Sequence, residues 1–215
     1  MLIVGAKGFA KEVLEVIHQM NQLENLIFFD DVNDDIKGSL YGKFPILKTM
    51  KEAKDYFNTT DNRFTIGIGN PVLRKKIYDK FISLGGVFTS TISPLASIGH
   101  YGNQIGLGSN IMTGTVITSD VHIEKGTLIN LNCTIGHDSI IGKFVELSPG
   151  VHISGSCIIG DYTVLGTNAC VLPKLAIGKN VIIGAGSVVT KNIPDNCVAV
   201  GTPAKIIKEL NPLEF

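Results

Sequence analysis

From its middle the chain reads Ile105-Gly106-Leu107-Gly108-Ser109-Asn110-Ile111, and from Ile105 to Val189 every sixth residue is Ile, Leu or Val. A strict period of six fits neither an α-helix nor a hairpin strand; it is the signature of a parallel β-helix built from hexapeptides. A second position supports this reading. Four residues after each aliphatic stand Ser109, Thr115, Val121, Thr127, Cys133, Ser139, Val145, Val151, Cys157, Thr163, Ala169, Leu175, Val181 and Ser187, all small or β-branched except Leu175. Successive side chains of a strand alternate faces, so positions i and i+4 point inward with i+5 outward between them, and the other three residues turn a corner. Gly often follows the aliphatic, as at Gly106, Gly136, Gly142 and Gly160, where we expect it to supply the backbone angles of tight corners. Three sides close a triangular, left-handed coil of about eighteen residues, so residues eighteen apart stack. An earlier phase, Ile92 and Ile98, is offset from Ile105 by one residue. That offset predicts an insertion near Asn103-Gln104, a β-helix that starts near Ile92, and about five to six coils.

The first ninety residues read differently. Leu2-Ile3-Val4 is a short apolar strand that runs into Gly5-Ala6-Lys7-Gly8-Phe9-Ala10. Lys11 to Met20 then carries Val13, Val16, Ile17 and Met20 on one helical face. Leu26-Ile27-Phe28-Phe29 follows and ends on Asp30-Asp31. Strand, Gly turn, helix, strand and acid open a Rossmann-like βαβ unit, in which a Gly turn and a helix N-terminus favour a phosphate. A plain structural turn is the competing reading, because Lys11 occupies the place of the fingerprint's third Gly. A mononucleotide portion of a substrate therefore suits this turn better than NAD. Pro45 to Leu47 and Phe64 to Ile68 read as strands, Lys48 to Phe57 and Val72 to Leu84 as helices, and Val87 to Ile92 as a strand leading into the coils. The expected organisation is α/β: a Rossmann-like nucleotide-sugar-binding domain over 1–90, then a left-handed parallel β-helix over 91–215 with a short C-terminal extension.

Formal net charge is zero, which gives no general attraction to nucleic acid or membrane. Mean hydropathy is +0.27, yet no apolar run approaches the ~18 residues of a spanning helix, because the hydrophobicity is spread as single aliphatics. Met1-Leu2-Ile3-Val4-Gly5 lacks the charged segment and cleavage site of a signal peptide, so the cytoplasm is the expected compartment. The four cysteines, Cys133, Cys157, Cys170 and Cys197, match no metal or redox spacing. Cys133 and Cys157 fall on inward positions, which argues against a nucleophilic role.

A β-helix has no obligatory cleft, so chemistry is sought at its corners. His137-Asp138 is the one histidine–carboxylate corner. The imidazole is a candidate general base and the carboxylate its orienter; an exposed histidine without a role is the alternative. His100, His122, His152 and His18 have no acid after them. Gly155, eighteen residues past His137, exposes a backbone N–H that can face a developing oxyanion. Base, orienter and oxyanion donor suit acyl transfer from a thioester.

The whole chain resembles the bacterial hexapeptide-repeat N- and O-acyltransferases of nucleotide-linked amino sugars and sialic acid, closest to those of the bacillosamine and perosamine type. The residues that carry the likeness are the Gly5-Ala6-Lys7-Gly8 turn, Asp30-Asp31, Ile68-Gly69-Asn70, His137-Asp138 and Val200-Gly201-Thr202-Pro203-Ala204-Lys205. The resemblance implies a homotrimer with acetyl-CoA in the groove between two β-helices and a UDP- or dTDP-linked amino sugar reaching across from the N-terminal domain. It matches His137 to the general base, Asp138 to its acidic neighbour and Gly155 to the donor near the thioester carbonyl. It places Asn130 at the sugar site, Glu146, Thr167 and Ala185 along the CoA groove, and Lys7, Gly8, Phe9, Asp30, Asp31, Gly69 and Asn70 in the nucleotide pocket. Two positions depart from the pattern: relatives can carry histidine where Glu146 and Phe9 stand here. No metal is needed. The alternatives are an O-acetyltransferase of sialic acid or another sugar, a metal-dependent hydratase using His122, His137 and His152, and a noncatalytic trimeric scaffold. The fifteen-residue spacing of those histidines keeps them from stacking.

Overall fold

The computed structural model describes residues 1–36 and 38–214. Its first part is a six-stranded sheet in the order β3-β4-β2-β1-β5-β6, parallel except for the β3–β4 pair. The elements are β1 (Leu2–Val4), α1 (Phe9–Gln19), β2 (Ile27–Phe29), β3 (Ser39–Leu40), β4 (Phe44–Leu47), α2 (Met50–Thr59), β5 (Arg63–Ile66), α3 (Pro71–Ser83) and β6 (Val87–Phe88). Strand alternation divides the core into two layers. Ile3 and Phe28 pack with Ala10, Val13 and Ile17 of α1 on one face. Leu2, Val4 and Phe29 pack with Phe57 of α2 and Phe81 of α3 on the other.

Local chemistry sets the boundaries that the sequence placed a residue or two away. Thr49 and Glu52 form a reciprocal capping box, so α2 begins at Met50 rather than Lys48. The Asn70 side chain accepts from the Leu73 N–H and Pro71 opens α3. β5 ends at Ile66, and the next residue, Gly67, lies against α1, where a Cβ would sit 2.6 Å from the Ala10 Cα. The single strand expected over Val87–Ile92 is two: Val87–Phe88 pairs with β5, and Thr91–Ile92 pairs with Asn110–Ile111 in the first coils.

From Thr91 the chain winds through three stacked parallel sheets, visited in turn once per coil. We call them the first, second and third face. From Gln104 to Val189 each strand is two residues long, and neighbours in a face stand eighteen residues apart, as Leu128–Ile129 and Glu146–Leu147 do. The inward aliphatics from Ile111 to Val189 form one continuous buried column, together with Cys133 and Cys157. The extra residue before Ile105 is absorbed in the corner Gly99–Asn103. The Asn103 side chain closes that corner by donating to the Gly99 and Thr118 carbonyls and accepting from the Val121 N–H.

The expected role of the corner glycines needs correction. The left-handed backbone falls three residues after the aliphatic, as at Asp138 (φ 58°), not on the Gly that directly follows it. Gly136 is small for another reason: a Cβ there would lie 2.6 Å from the Gly155 amide nitrogen of the next coil. Tight stacking of coils, rather than corner angle, excludes a side chain.

The N-terminal part rests on the first face. Arg74 of α3 is 0% exposed and reaches across to it. Its guanidinium donates to the carbonyls of Ile66, Ile68 and Gly126 and to Asn110 Oδ1. Asn110 in turn donates to Thr65 and Thr91. Beside this anchor runs an aromatic seam, in which Tyr78 packs on Phe88 and Phe144, and Phe144 stacks on Tyr162. At the other end of the chain Cys197–Val200 joins the first face and pairs antiparallel with Lys205–Glu209 across a cis Thr202–Pro203 bond.

Candidate active site

His137 stands at the edge between the second and third faces, on a corner that follows Thr134–Ile135. Its Nδ1 is 2.7 Å from Asp138 Oδ2, and both side chains are exposed. With the carboxylate accepting from Nδ1–H, Nε2 is left with its lone pair free. The ring lies over Gly155, where a Cβ would be 2.5 Å from Nε2. Any side chain at 155 displaces the imidazole. Among the described residues no group accepts from the Gly155 N–H, while its carbonyl is tied to the Lys174 N–H. A base nitrogen and a free backbone donor therefore converge on one exposed spot, the arrangement a tetrahedral oxyanion intermediate needs.

The remaining residues expected at the site divide into separate places. Thr167 and Ala185 lie eighteen residues apart on the edge between the first and second faces, and Asn130 sits lower on that same edge, nearly buried. Glu146 does not join them. It points outward from the first face, half-buried beneath the N-terminal part, with Oε1 3.1 Å from where a Gly69 Cβ would be. Burial raises its carboxyl above the usual range, and the Arg74 charge opposes the rise. Its neighbours are thus those of the Ile68–Asn70 loop, away from the edge that carries Thr167. His122 and His152 lie on strands of the third and second faces, apart from the His137 corner; His152 Nδ1 is bonded to Thr134 Oγ1.

At the C-terminal ends of β1 and β2 a cleft of about 460 Å3 opens toward α3. Of the residues expected in the nucleotide pocket, Asp30 and Asp31 line it, together with Gly5. Lys7, Gly8, Phe9, Gly69 and Asn70 do not. Lys7 pairs with Asp35, Phe9 packs on the α1 layer, and Asn70 caps α3. Asp30 also differs from expectation. Its carboxylate accepts from the Ala6, Val32 and Asn33 amides and the Asn33 side chain, so it stitches the Gly turn to the loop after β2. Burial pushes its carboxyl up, but the bonds from Asn33 and Val32 outweigh this and hold it below the usual carboxylate range. Asp31 remains available at the rim, in an exposed pair with Lys80 at 3.0 Å. Sequence reading missed the α3 wall, Leu73, Lys76, Ile77 and Lys80. The four-residue spacing of Lys76 and Lys80, beside the apolar pair Leu73 and Ile77, was its visible trace.

Residues 1–81 match the family described as PglD N-terminal domain, and residues 156–191 match bacterial transferase hexapeptide (six repeats). No curated protein sequence matches significantly. Among solved structures, the acetyltransferase domain of PglB from Neisseria gonorrhoeae is 30% identical, over 96% of this chain and 98% of its own, with a TM-score of 0.88. WeeI from Acinetobacter baumannii is 31% identical over 96% and 98%, with a TM-score of 0.86. A variant of perosamine N-acetyltransferase from Caulobacter crescentus, in complex with CoA and GDP-perosamine, is 28% identical over 97% and 96%, with a TM-score of 0.88. With an N-terminal α/β domain, a hexapeptide β-helix and full-length likeness at this level, the chain belongs to the hexapeptide-repeat sugar acetyltransferase family.

Proposed function

We propose that this protein transfers the acetyl group of acetyl-CoA to the amine of a nucleotide-linked amino sugar, with His137 as general base. The observation that carries the reading is the His137 ring, held by Asp138 with Nε2 against Gly155. The amine attacks the thioester carbonyl carbon and Nε2 accepts its proton. The oxyanion accepts from the Gly155 N–H. When the tetrahedral species collapses the C–S bond breaks, and the imidazolium proton leaves on the CoA thiol. No acyl-enzyme is required, and Cys157, fully buried, is out of reach of such a role.

The N-terminal domain, residues 1–90, holds the nucleotide in the α3 cleft, and residues 91–215 supply the chemistry. GDP-perosamine, bound by the Caulobacter crescentus relative, widens the expected UDP and dTDP carriers to three candidates. The domain sits on the first face, and His137 stands on the opposite edge of the prism. A chain therefore cannot deliver a sugar from its own cleft to its own base. A second copy must supply one of the two, which favours a homotrimer. Ile140 and Ile158, exposed side by side on the third face, offer an apolar contact for it. Acetyl-CoA and nucleotide sugars are cytoplasmic metabolites, which supports the cytoplasm as its compartment. Among the described residues no helix is long and apolar enough to cross a membrane.

The test is thiol release from acetyl-CoA against GDP-, UDP- and dTDP-linked 4-amino sugars. His137→Ala should lower kcat about 10²- to 10⁴-fold and leave CoA affinity and assembly unchanged. Near-native kcat in that variant would remove His137 from the chemistry. A monomer by sedimentation at micromolar concentration would remove the shared site.

A further inference from the structure

The edge that carries His137 has a regular column of outermost residues, defined by its hydrogen bonds. The Tyr101 carbonyl accepts from Asp120, Ser119 from Asp138, His137 from Ser156 and Gly155 from Lys174. Tyr101, Ser119, His137 and Gly155 are thus equivalent positions on four successive coils. Coils are about 4.8 Å apart, so Tyr101 lies about 10 Å from His137 along the edge, with only a serine between them. Tyr101 sits in the one corner that holds an extra residue and is 78% exposed. No hydrogen bond or ring contact engages its side chain among the described residues. Its ring is therefore free to contact a ligand bound on this edge.

We infer that the pyranose ring of the acceptor docks over Ser119, with Tyr101 as its floor, and that Tyr101 thereby selects the amino sugar. The inference rests on the reading of His137 given above. Gly155, the oxyanion donor, lies on the C-terminal side of His137, so the thioester occupies that side and the amine approaches from the other. That other side is the Ser119 notch. Two ring side chains about 10 Å apart leave room for one puckered ring about 5 Å from each, close to van der Waals contact. The N-terminal domain spans these levels of the prism, from Met112 and Asn110, level with Ser119, to Glu146 under Gly69, level with Gly155. An aromatic face packs on the C–H face of a sugar and so discriminates between epimers that turn a hydroxyl into that face.

The experiment uses the acceptor most active with the wild-type protein, screened among GDP-perosamine and the UDP- and dTDP-linked 4-amino sugars. Tyr101→Ala should raise KM for that acceptor about tenfold, with KM for acetyl-CoA and the melting temperature unchanged. Tyr101→Phe, which keeps the ring, should stay within about twofold. Ser119→Phe fills the notch and should lower kcat/KM for the acceptor by about a hundredfold or more, while calorimetric CoA affinity holds. Unchanged acceptor KM in both Tyr101→Ala and Ser119→Phe overturns the inference and leaves His137 chemistry standing. Weakened CoA binding in either variant also overturns it, because the donor would then occupy the notch. A wild-type protein inert with every acceptor sinks the underlying transferase reading instead.

Discussion

The prism and the N-terminal domain are held together in opposite ways. In the prism each coil repeats the last: two-residue strands, an aliphatic and a small residue inward, a backbone ladder to the coil above and below. No single residue is unique, and each contributes a similar share. The domain above it is built around individual contacts that occur once. Asp30 ties the Gly turn to the loop after β2 through a buried carboxylate, and Arg74 spans from α3 to Asn110 and Gly126. Repetition spreads stability evenly along the prism and frees its corners for chemistry. Singular contacts position a cleft, at the cost of being easy to break.

The largest expected break is Arg74→Ala. It leaves the carbonyls of Ile66, Ile68 and Gly126 without their donor in a dry interface and empties the space of the whole side chain. A loss of about 3–5 kcal/mol is expected. Burial pushes the guanidinium down to about 10, with the Glu146 charge opposing, so the site already bears the strain of a desolvated cation. Denaturant unfolding of the purified variant measures the loss. A change under about 1 kcal/mol would mean that the aromatic seam, not Arg74, joins the two parts.

Asp30→Ala should cost about 2–3 kcal/mol, because a charged acceptor of several amides is removed. The same residue predicts an acid limit. Its folded carboxyl titrates below the ordinary value of about 3.9, so its contribution is complete above that pH and is lost as pH falls through the folded value. The N-terminal domain should therefore melt before the prism on acidification in calorimetric scans. In Asp30→Ala this pH dependence should flatten. An acid transition of undiminished slope in the variant would assign it to another carboxylate. Asp61, held low by Arg63 and the N-terminal ammonium against its own burial, is the next in line.

The smallest effect is expected in the prism. Ile153→Val removes one methylene from a column of like residues and should cost about 1 kcal/mol, with His137 chemistry intact. A cost comparable to that of Arg74→Ala would erase the contrast between the two regions. A loss of kcat would show that core packing sets the corner geometry.

How far the sequence could be read followed this same division. The prism was readable to the residue, from Ile105 to Val189, since each side chain's place depends on its position in a local period. Even the seven-residue step before Ile105 marked the distinct corner that carries Tyr101. His137, Asp138 and Gly155 emerged together because eighteen-residue stacking follows from that period by arithmetic. In the N-terminal domain only the strands, the helices and the acidic end of β2 could be read. Asp30 looked like a ligand contact, but the fold occupies its oxygens. Nothing local in the sequence showed that the first face sets Glu146 under Gly69.

The sequence by itself determined the triangular coil, the stacking of the His137–Asp138 corner on Gly155 and the α/β character of the first ninety residues. Only tertiary structure decided that the cleft opens toward α3, that Lys76 and Lys80 wall it, and that it lies across the prism from the chain's own His137. A repeat writes its geometry into neighbouring residues, so its period can be read directly. A cleft arises where elements distant in sequence meet, as Asp31 meets Lys80 and Asn110 meets Arg74, and no local pattern records which of them will touch.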